Sequence, residues 1–170
     1  MKDNSITQNL KGLTTDGIIY QMISALRTHK ELERGTVNDC QVVLNHLIRK
    51  YSEPLKRDKK QIIYYSKGSK SLKPGEKKIR EHVIPVKTIM QYLLNLNLEI
   101  GDENLKNTIE KYLNENLIIV YLKLEGEDKK LTEFGVKDSM PQEYSDQNSE
   151  YYQDKWARYK VADIYKNIIF

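Results

Sequence analysis

Residues 117–122 read Leu-Ile-Ile-Val-Tyr-Leu, a continuous apolar run rich in β-branched side chains. A short run of this kind, bounded by polar sequence, is typical of a buried β-strand. It predicts a strand at about residues 117–123. The segment before it carries leucine and isoleucine at helical spacing, which predicts an amphipathic helix over residues 103–114, capped by Asp102.

Two shorter β-rich segments lie upstream of this run. Residues 61–66 contain Ile-Ile-Tyr-Tyr and lead into a loop rich in Gly, Ser and Lys, and residues 79–84 end at Pro85. Both segments are short and a single long loop joins them, so we expect them to form a β-hairpin with a basic loop. Together with residues 117–123 they would make a small three-stranded sheet.

Helical periodicity covers much of the remaining chain. Apolar residues at three-and-four spacing predict a helix over residues 14–28, and a second helix begins at Thr36, where Thr-Val-Asn-Asp resembles a capping box. These two helices form an N-terminal hairpin joined at Gly35, and the second ends before Pro54. The same spacing predicts further helices at residues 86–96 and 150–168, and residues 127–134 are expected to form one or two helical turns ended by Gly135.

The order of these elements defines the fold class. Helices outnumber strands and do not alternate strictly with them, so the sequence predicts an α+β fold. A chain of 170 residues has the usual size of one domain. We therefore expect a single domain spanning residues 1–170, with about the first ten residues disordered.

Composition limits the compartment and the class of protein. The chain has no apolar run long enough to span a bilayer and no hydrophobic stretch near Met1, so neither a membrane partner nor a secretory signal is expected. Cys40 is the only cysteine, so an internal disulfide is excluded. These features indicate a soluble cytoplasmic protein.

The charge is concentrated in the middle of the chain. Residues 49–80 hold 12 basic and 3 acidic side chains, a net charge of +9, whereas the whole chain carries only +4. Such a block suits an anionic surface, of which nucleic acid is the commonest, although lysine-rich loops are often only solvated. Trp156 and the tyrosines before it could stack on bases, but their helical spacing is more typical of core. The residues predicted to contact nucleic acid are Lys67, Lys70, Lys73, Lys77, Lys78, Arg80 and Arg158.

One of the three histidines stands in a context that favours chemistry. Residues 81–85 read Glu-His-Val-Ile-Pro, at the end of a predicted strand and directly after the basic loop. This pentapeptide resembles the first motif of the HNH, or ββα-metal, endonucleases. The resemblance implies that His82 is a general base toward water, that Glu81 helps to bind a divalent metal such as Mg²⁺, and that the metal stabilises the leaving oxygen.

The motif leaves an alternative for the same residue. No histidine follows His82 that could complete the family's metal site. His82 can also be a strand-end histidine hydrogen-bonded to Glu81 or to a tyrosine, with no chemical task. The catalytic interpretation requires the imidazole to lie beside an acid and open to solvent.

Two functions from different classes are consistent with the sequence. The first is a nucleic-acid-binding protein, extended by the resemblance to a metal-dependent endonuclease with Glu81 and His82 as catalytic residues. The second is a non-catalytic protein-interaction module, such as an inhibitor, adaptor or immunity-type protein, whose basic loop docks on an acidic protein partner.

Overall fold

The computed structural model of the chain describes residues 14–53 and 61–170. The predicted disorder of about the first ten residues lies outside the described residues. So do Lys56, Arg57, Lys59 and Lys60 of the basic block.

The chain begins its described part with the predicted helical hairpin. Helix α1 spans Thr15–Lys30 and helix α2 spans Val37–Tyr51. The side chain of Thr36 accepts from the backbone N–H of Asp39, and the Asp39 carboxylate accepts from that of Thr36, so the capping box is present. Gly35 has a φ of 75°, a left-handed conformation that glycine adopts without steric cost.

Two further helices pack beside this hairpin. Helix α4 spans Val86–Leu94 and helix α5 spans Asp102–Asn116, close to the predicted ranges. The cap of α5 is Gly101 rather than the predicted Asp102, which is the first helical residue. The Asp102 carboxylate instead accepts a hydrogen bond from the Arg27 side chain of α1 at 2.7 Å.

In the described part of the chain the sheet has four strands, and the apolar run forms one of its two inner strands. Strands β1 (Ile63–Ser66), β2 (Lys78–His82), β3 (Ile119–Lys123) and β4 (Ile168–Ile169) lie in the order β2-β3-β1-β4. β3 is parallel to β1 and antiparallel to β2, and β4 is antiparallel to β1. The predicted hairpin between residues 61–66 and 79–84 is therefore wrong, because β3 lies between these strands.

The C-terminal part differs most from the prediction. The expected helix over residues 150–168 is reduced to α7, which spans Ala157–Val161, and the chain then adds the edge strand β4. Gln153 and Asp163 have φ values of 53° and 52°, and residues in this left-handed conformation interrupt a right-handed helix on either side of α7.

The α-helices α3 and α6 are short. The predicted loop after β1 instead contains the one-turn helix α3 (Lys67–Lys70). Helix α6 spans Lys129–Glu133 inside the predicted range 127–134, and Gly135 follows it with a φ of 68°. In the part of the chain that the structure describes, none of the helices combines the length and the apolar character needed to cross a bilayer.

The buried side chains form two apolar clusters. One joins α1, α2, α4 and α5, and the other joins one face of the sheet to α6 and the C-terminal segment. Val120 and Leu122 of β3 point into the second cluster, which includes the fully buried Tyr159. Trp156 packs against this cluster, as the core interpretation of that residue predicts. The architecture is α+β, as the sequence predicts.

Candidate nucleic-acid interface

The pleat of β2 separates the residues that the sequence placed at one site. Successive side chains of a strand point to opposite faces of its sheet. Ile79 packs against the second apolar cluster and Glu81 lies on the same face, where it pairs with Arg158. Arg80 and His82 lie on the other face, and both contact Ser52. Glu81 and His82 are adjacent in sequence but do not face a common site.

His82 lies in the interior at the end of β2. The residue is 5% exposed, and its Nε2 atom is 2.9 Å from Oγ of Ser52, which follows α2. The Ser52 hydroxyl donates to the carbonyl of Arg49 at 2.8 Å, so its only proton is used and the His82 Nε2–H is the donor between the two side chains. The ring is thus hydrogen-bonded within the fold, to a serine rather than to Glu81 or a tyrosine.

The electrostatic surroundings of His82 disfavour its charged form. Burial is the first cause that lowers the pKa of His82 from 6.5 to about 3, followed by the positive charges of three nearby arginines. A general base needs contact with the water that it deprotonates and a pKa near the working pH. The buried ring corrects the expectation of an open imidazole, and the geometry gives no support to His82 as a general base.

Glu81 is held by two cations. Its Oε1 accepts from Nη2 of Arg158 at 2.9 Å, and its Oε2 lies 3.4 Å from Nζ of Lys137. The same lysine donates to the carboxylate of Asp128, so two acids and two bases form a charge-balanced cluster. A divalent metal bound at Glu81 would be repelled by both neighbouring cations.

The residues around Glu81 and His82 therefore do not fit the implied Mg²⁺ site. Within residues 14–53 and 61–170, no group of three or more His, Cys, Asp or Glu side chains is arranged to hold a metal ion. A hard cation of this class requires several oxygen ligands. The Glu81 carboxylate is already neutralised by Arg158 and Lys137.

Arg158 is a structural residue and not a surface cation. It is 0% exposed, and each of its five N–H groups has an acceptor. Three of these acceptors lie in residues 81–83 and two in residues 136–137, so the guanidinium joins the end of β2 to the loop after α6. This position corrects the prediction that Arg158 contacts nucleic acid, because no part of its side chain reaches solvent.

The other predicted contact residues lie in and around α3 and β2. Lys67, Lys70, Lys73, Lys77 and Lys78 are exposed. Arg80 is partly buried and donates to the backbone carbonyl and to Oγ of Ser52, so its guanidinium is held against the end of α2. Five of the seven predicted contact residues thus remain exposed cations.

A pair of tyrosines lies among these lysines. Tyr65 of β1 and Tyr121 of β3 occupy partner positions in the parallel ladder. Their ring centroids are 5.1 Å apart and their planes differ by 17°, which is a stacked arrangement. Both side chains are partly exposed. Val120 and Leu122, which flank Tyr121 in β3, are buried on the opposite face of the sheet.

Two lysine ammonium groups lie over the tyrosine rings. Nζ of Lys70 is 3.9 Å from the centroid of Tyr65, and Nζ of Lys78 is 5.5 Å from Tyr65 and 5.0 Å from Tyr121. Among the described residues, no carboxylate forms an ion pair with Lys70 or Lys78. We call this group of four residues, Tyr65, Lys70, Lys78 and Tyr121, the tyrosine–lysine face.

A buried carboxylate fixes the turn that carries Lys70. Glu127 is 8% exposed and accepts from the Ser66 hydroxyl, from the backbone N–H of Gly68 at 3.3 Å and from that of Lys123 at 2.8 Å. A Cβ at Gly68 would lie only 2.7 Å from this carboxylate, so the close approach requires glycine. Glu127 thereby joins α3 to the end of β3 and holds Lys70 beside Tyr65.

The sequence indicated the lysines of this face but not the tyrosines. Tyr65 and Tyr121 each sit in a β-rich run, where an aromatic residue is ordinary. Only the parallel pairing of β1 with β3 brings them together, and that pairing joins segments more than fifty residues apart.

Comparisons with family models, curated proteins and solved structures give no match for this chain.

Proposed function

We propose that this protein binds nucleic acid on the tyrosine–lysine face. The observation that supports the proposal best is the placement of two lysine ammonium groups over a stacked tyrosine pair, with no carboxylate of the described residues paired to either lysine. A lysine whose ammonium group is not neutralised by a described carboxylate can offer its charge to a phosphate group. Aromatic rings between them offer a surface that a base can contact.

The surrounding charge supports an anionic ligand of extended shape. Lys67, Lys73 and Lys77 are exposed in the segment that flanks the face. Glu76 lies in this segment, but its carboxylate is paired with Nζ of Lys123 at 2.6 Å. Clustered lysines bind a phosphate backbone mainly by releasing its counterions, which gives affinity without sequence preference.

Hydrolysis by His82 lies outside this function. The ring is buried against Ser52, and Glu81 is ion-paired on the opposite face of β2. A phosphodiester bound to the exposed lysines would have no access to either side chain. The function that the geometry supports is binding.

Charge reversal tests the proposal. We expect Lys70→Glu and Lys78→Glu each to weaken binding of a fluorescein-labelled DNA by about tenfold, since each change removes one phosphate contact and adds a repulsive charge. Fluorescence anisotropy titrations in low salt measure the dissociation constant. Lys111→Glu is the matched control, because Lys111 is an exposed lysine of α5, which belongs to the helical part of the fold.

The control separates a specific face from general attraction. Binding that the Lys111→Glu variant loses as strongly as the other two would show that net charge alone is responsible. Absence of binding by the unmodified protein would contradict the proposal. Capture of an acidic protein by the same lysines, with no affinity for DNA or RNA, would favour the protein-interaction module instead.

A further inference from the structure

We infer that the nucleic acid bound by this face is single-stranded, and that an unpaired base stacks on the Tyr65 ring in the place now taken by the Lys70 ammonium. This inference rests on the proposed function and names the class of its ligand. It depends on the geometry of four side chains, which are Tyr65, Lys70, Lys78 and Tyr121.

The two sides of the Tyr65 ring have different neighbours. One side stacks on Tyr121 at a centroid distance of 5.1 Å. The Lys70 ammonium lies 3.9 Å from the Tyr65 centroid but is not over Tyr121, whereas Lys78 is near both rings. Lys70 therefore lies on the side of Tyr65 that is turned away from Tyr121. That side is turned toward the edge strand β4, where Ile169, the register partner of Tyr65, is 44% exposed, and the exposed Lys70 side chain lies over it.

A base is a better neighbour for this ring than an ammonium group. A solvent-exposed cation–π contact is weak, because water competes for the charge, whereas base–aromatic stacking also removes apolar surface from water. The long lysine side chain can rotate away at small cost, and its released ammonium then lies beside the phosphate of the stacked nucleotide. When the nucleotide binds, the Tyr65 ring thus contacts the base and the Lys70 ammonium contacts the phosphate.

The backbone around the ring is held in place. Tyr65 pairs with Tyr121 in the β1–β3 ladder and with Ile169 in the β1–β4 ladder, so the strand is hydrogen-bonded on both sides. Glu127 fixes the turn that follows it. A stacking surface on a central region of a sheet is preorganised, so little conformational entropy is lost when a base binds.

Duplex nucleic acid cannot use this surface in the same way. Each base of a duplex already has both faces covered by its neighbours, so only its phosphates are available to the lysines. Single strands offer phosphates and free base faces together. The tyrosine–lysine face should therefore discriminate between the two forms, which a purely cationic surface would not do.

Affinity for matched single-stranded and duplex DNA tests the inference. The probes are a non-self-complementary single strand of about 12 nucleotides and the duplex of the same sequence, both fluorescein-labelled and titrated at one salt concentration. We expect the single strand to bind the unmodified protein more tightly. Tyr65→Leu should weaken single-strand binding by about tenfold and leave duplex binding within about twofold, because stacking is lost and the charges are kept.

Two further variants make the result specific. Tyr65→Phe keeps the aromatic ring and should retain the single-strand preference. Tyr20→Leu changes a tyrosine of α1 that is 43% exposed and lies outside the face, and it should leave both affinities unchanged. Far-UV circular dichroism and the urea midpoint check that each variant is folded.

The outcomes separate this inference from the proposed function. Equal affinity for both probes, with Tyr65→Leu equal to the unmodified protein and Lys78→Glu still weakened, would overturn single-strand stacking and leave nucleic-acid binding intact. Failure of every probe to bind would overturn both. A single-strand preference that Tyr65→Leu and Tyr65→Phe lose alike would also overturn the stacking role, since phenylalanine keeps the ring.

Discussion

His82 illustrates how position determines the chemistry of a residue. An imidazole in water titrates near neutral pH, but this ring lies against Ser52 and close to three arginines. Its pKa falls to about 3, so the folded protein keeps the ring neutral through the mildly acidic range. The hydrogen bond between His82 and Ser52 joins β2 to the end of α2. Because the pKa of His82 differs between the folded and the unfolded chain, protonation of the ring changes the stability of the fold.

The pH dependence of stability tests this description of His82. The unfolded chain protonates the histidine near its ordinary pKa of 6.5, whereas the folded chain does so near 3. Stability from this group is therefore complete above pH 6.5 and is lost as the pH falls toward 3, by at most about 1.4 kcal/mol per pH unit. Urea unfolding at pH 7, 6, 5 and 4 measures this slope against His82→Gln, which keeps a hydrogen-bonding group but does not titrate.

The comparison isolates one group because all other titrating residues are shared by the two proteins. We expect the unmodified protein to lose stability more steeply than His82→Gln over this range. Parallel curves would show that the histidine is not buried in its neutral form.

At the scale of elements, Arg158 joins segments that share no hydrogen-bonding ladder. Its guanidinium connects the end of β2 with residues 136–137 and neutralises Glu81. A buried charge of this kind is costly unless every group is satisfied, and here all five N–H groups are. The side chain therefore sets the position of the C-terminal segment against the sheet.

Loss of this guanidinium should be severe. We expect Arg158→Met to lower the free energy of unfolding by about 3–5 kcal/mol, because it leaves the Glu81 carboxylate and several carbonyl groups buried with fewer donors. Lys166→Met is the control, since the Lys166 side chain is 69% exposed and its solvent-exposed ion pair with Asp163 should contribute little to stability. Urea denaturation followed by circular dichroism measures both. A loss below about 1 kcal/mol for Arg158→Met would contradict the structural role.

The elements also show what local sequence can and cannot predict. Periodicity and capping residues placed α1, α2, α4, α5 and the three longer strands, because these signals act over a few neighbouring residues. Strand pairing depends on contacts between distant segments, so the sequence favoured a local hairpin where β3 in fact separates β1 from β2. The aromatic spacing after residue 150 resembled a helix, but Tyr159 and Tyr165 pack against Trp156 from the short helix α7 and from a separate single turn after it.

In the candidate site, too, local sequence indicated some features, and contacts between distant segments determined the others. The lysines at positions 67, 70, 73, 77 and 78 are exposed, as contact with a partner requires, and local sequence could indicate this because charge is costly to bury. Arg158 is an exception to that rule, since acceptors from two separate segments, residues 81–83 and 136–137, surround its guanidinium, and no local pattern indicates such an arrangement. The stacking of Tyr65 on Tyr121 likewise required the tertiary fold.

At the scale of the whole molecule, charge is distributed unevenly. Residues 49–80 carry a net charge of +9, whereas residues 81–170 hold 11 basic and 16 acidic side chains. Some of these acidic side chains have partners within the fold: Glu81 and Asp128 form ion pairs, and Glu127 accepts hydrogen bonds. Among the described residues, five exposed lysines at positions 67, 70, 73, 77 and 78 therefore give the surface around α3 and β2 a positive potential, although the total charge is only +4.

Mapping the contact surface by two-dimensional ¹H–¹⁵N NMR tests the central claim most directly. Titration with a short single-stranded oligonucleotide should shift the amide signals of residues 64–70, 77–80 and 120–123, with the largest changes around Tyr65 and Tyr121. The signals of α1 and α2 should remain close to their starting positions. Shifts concentrated in that helical hairpin, or no shifts at a saturating oligonucleotide concentration, would contradict nucleic-acid binding on the tyrosine–lysine face.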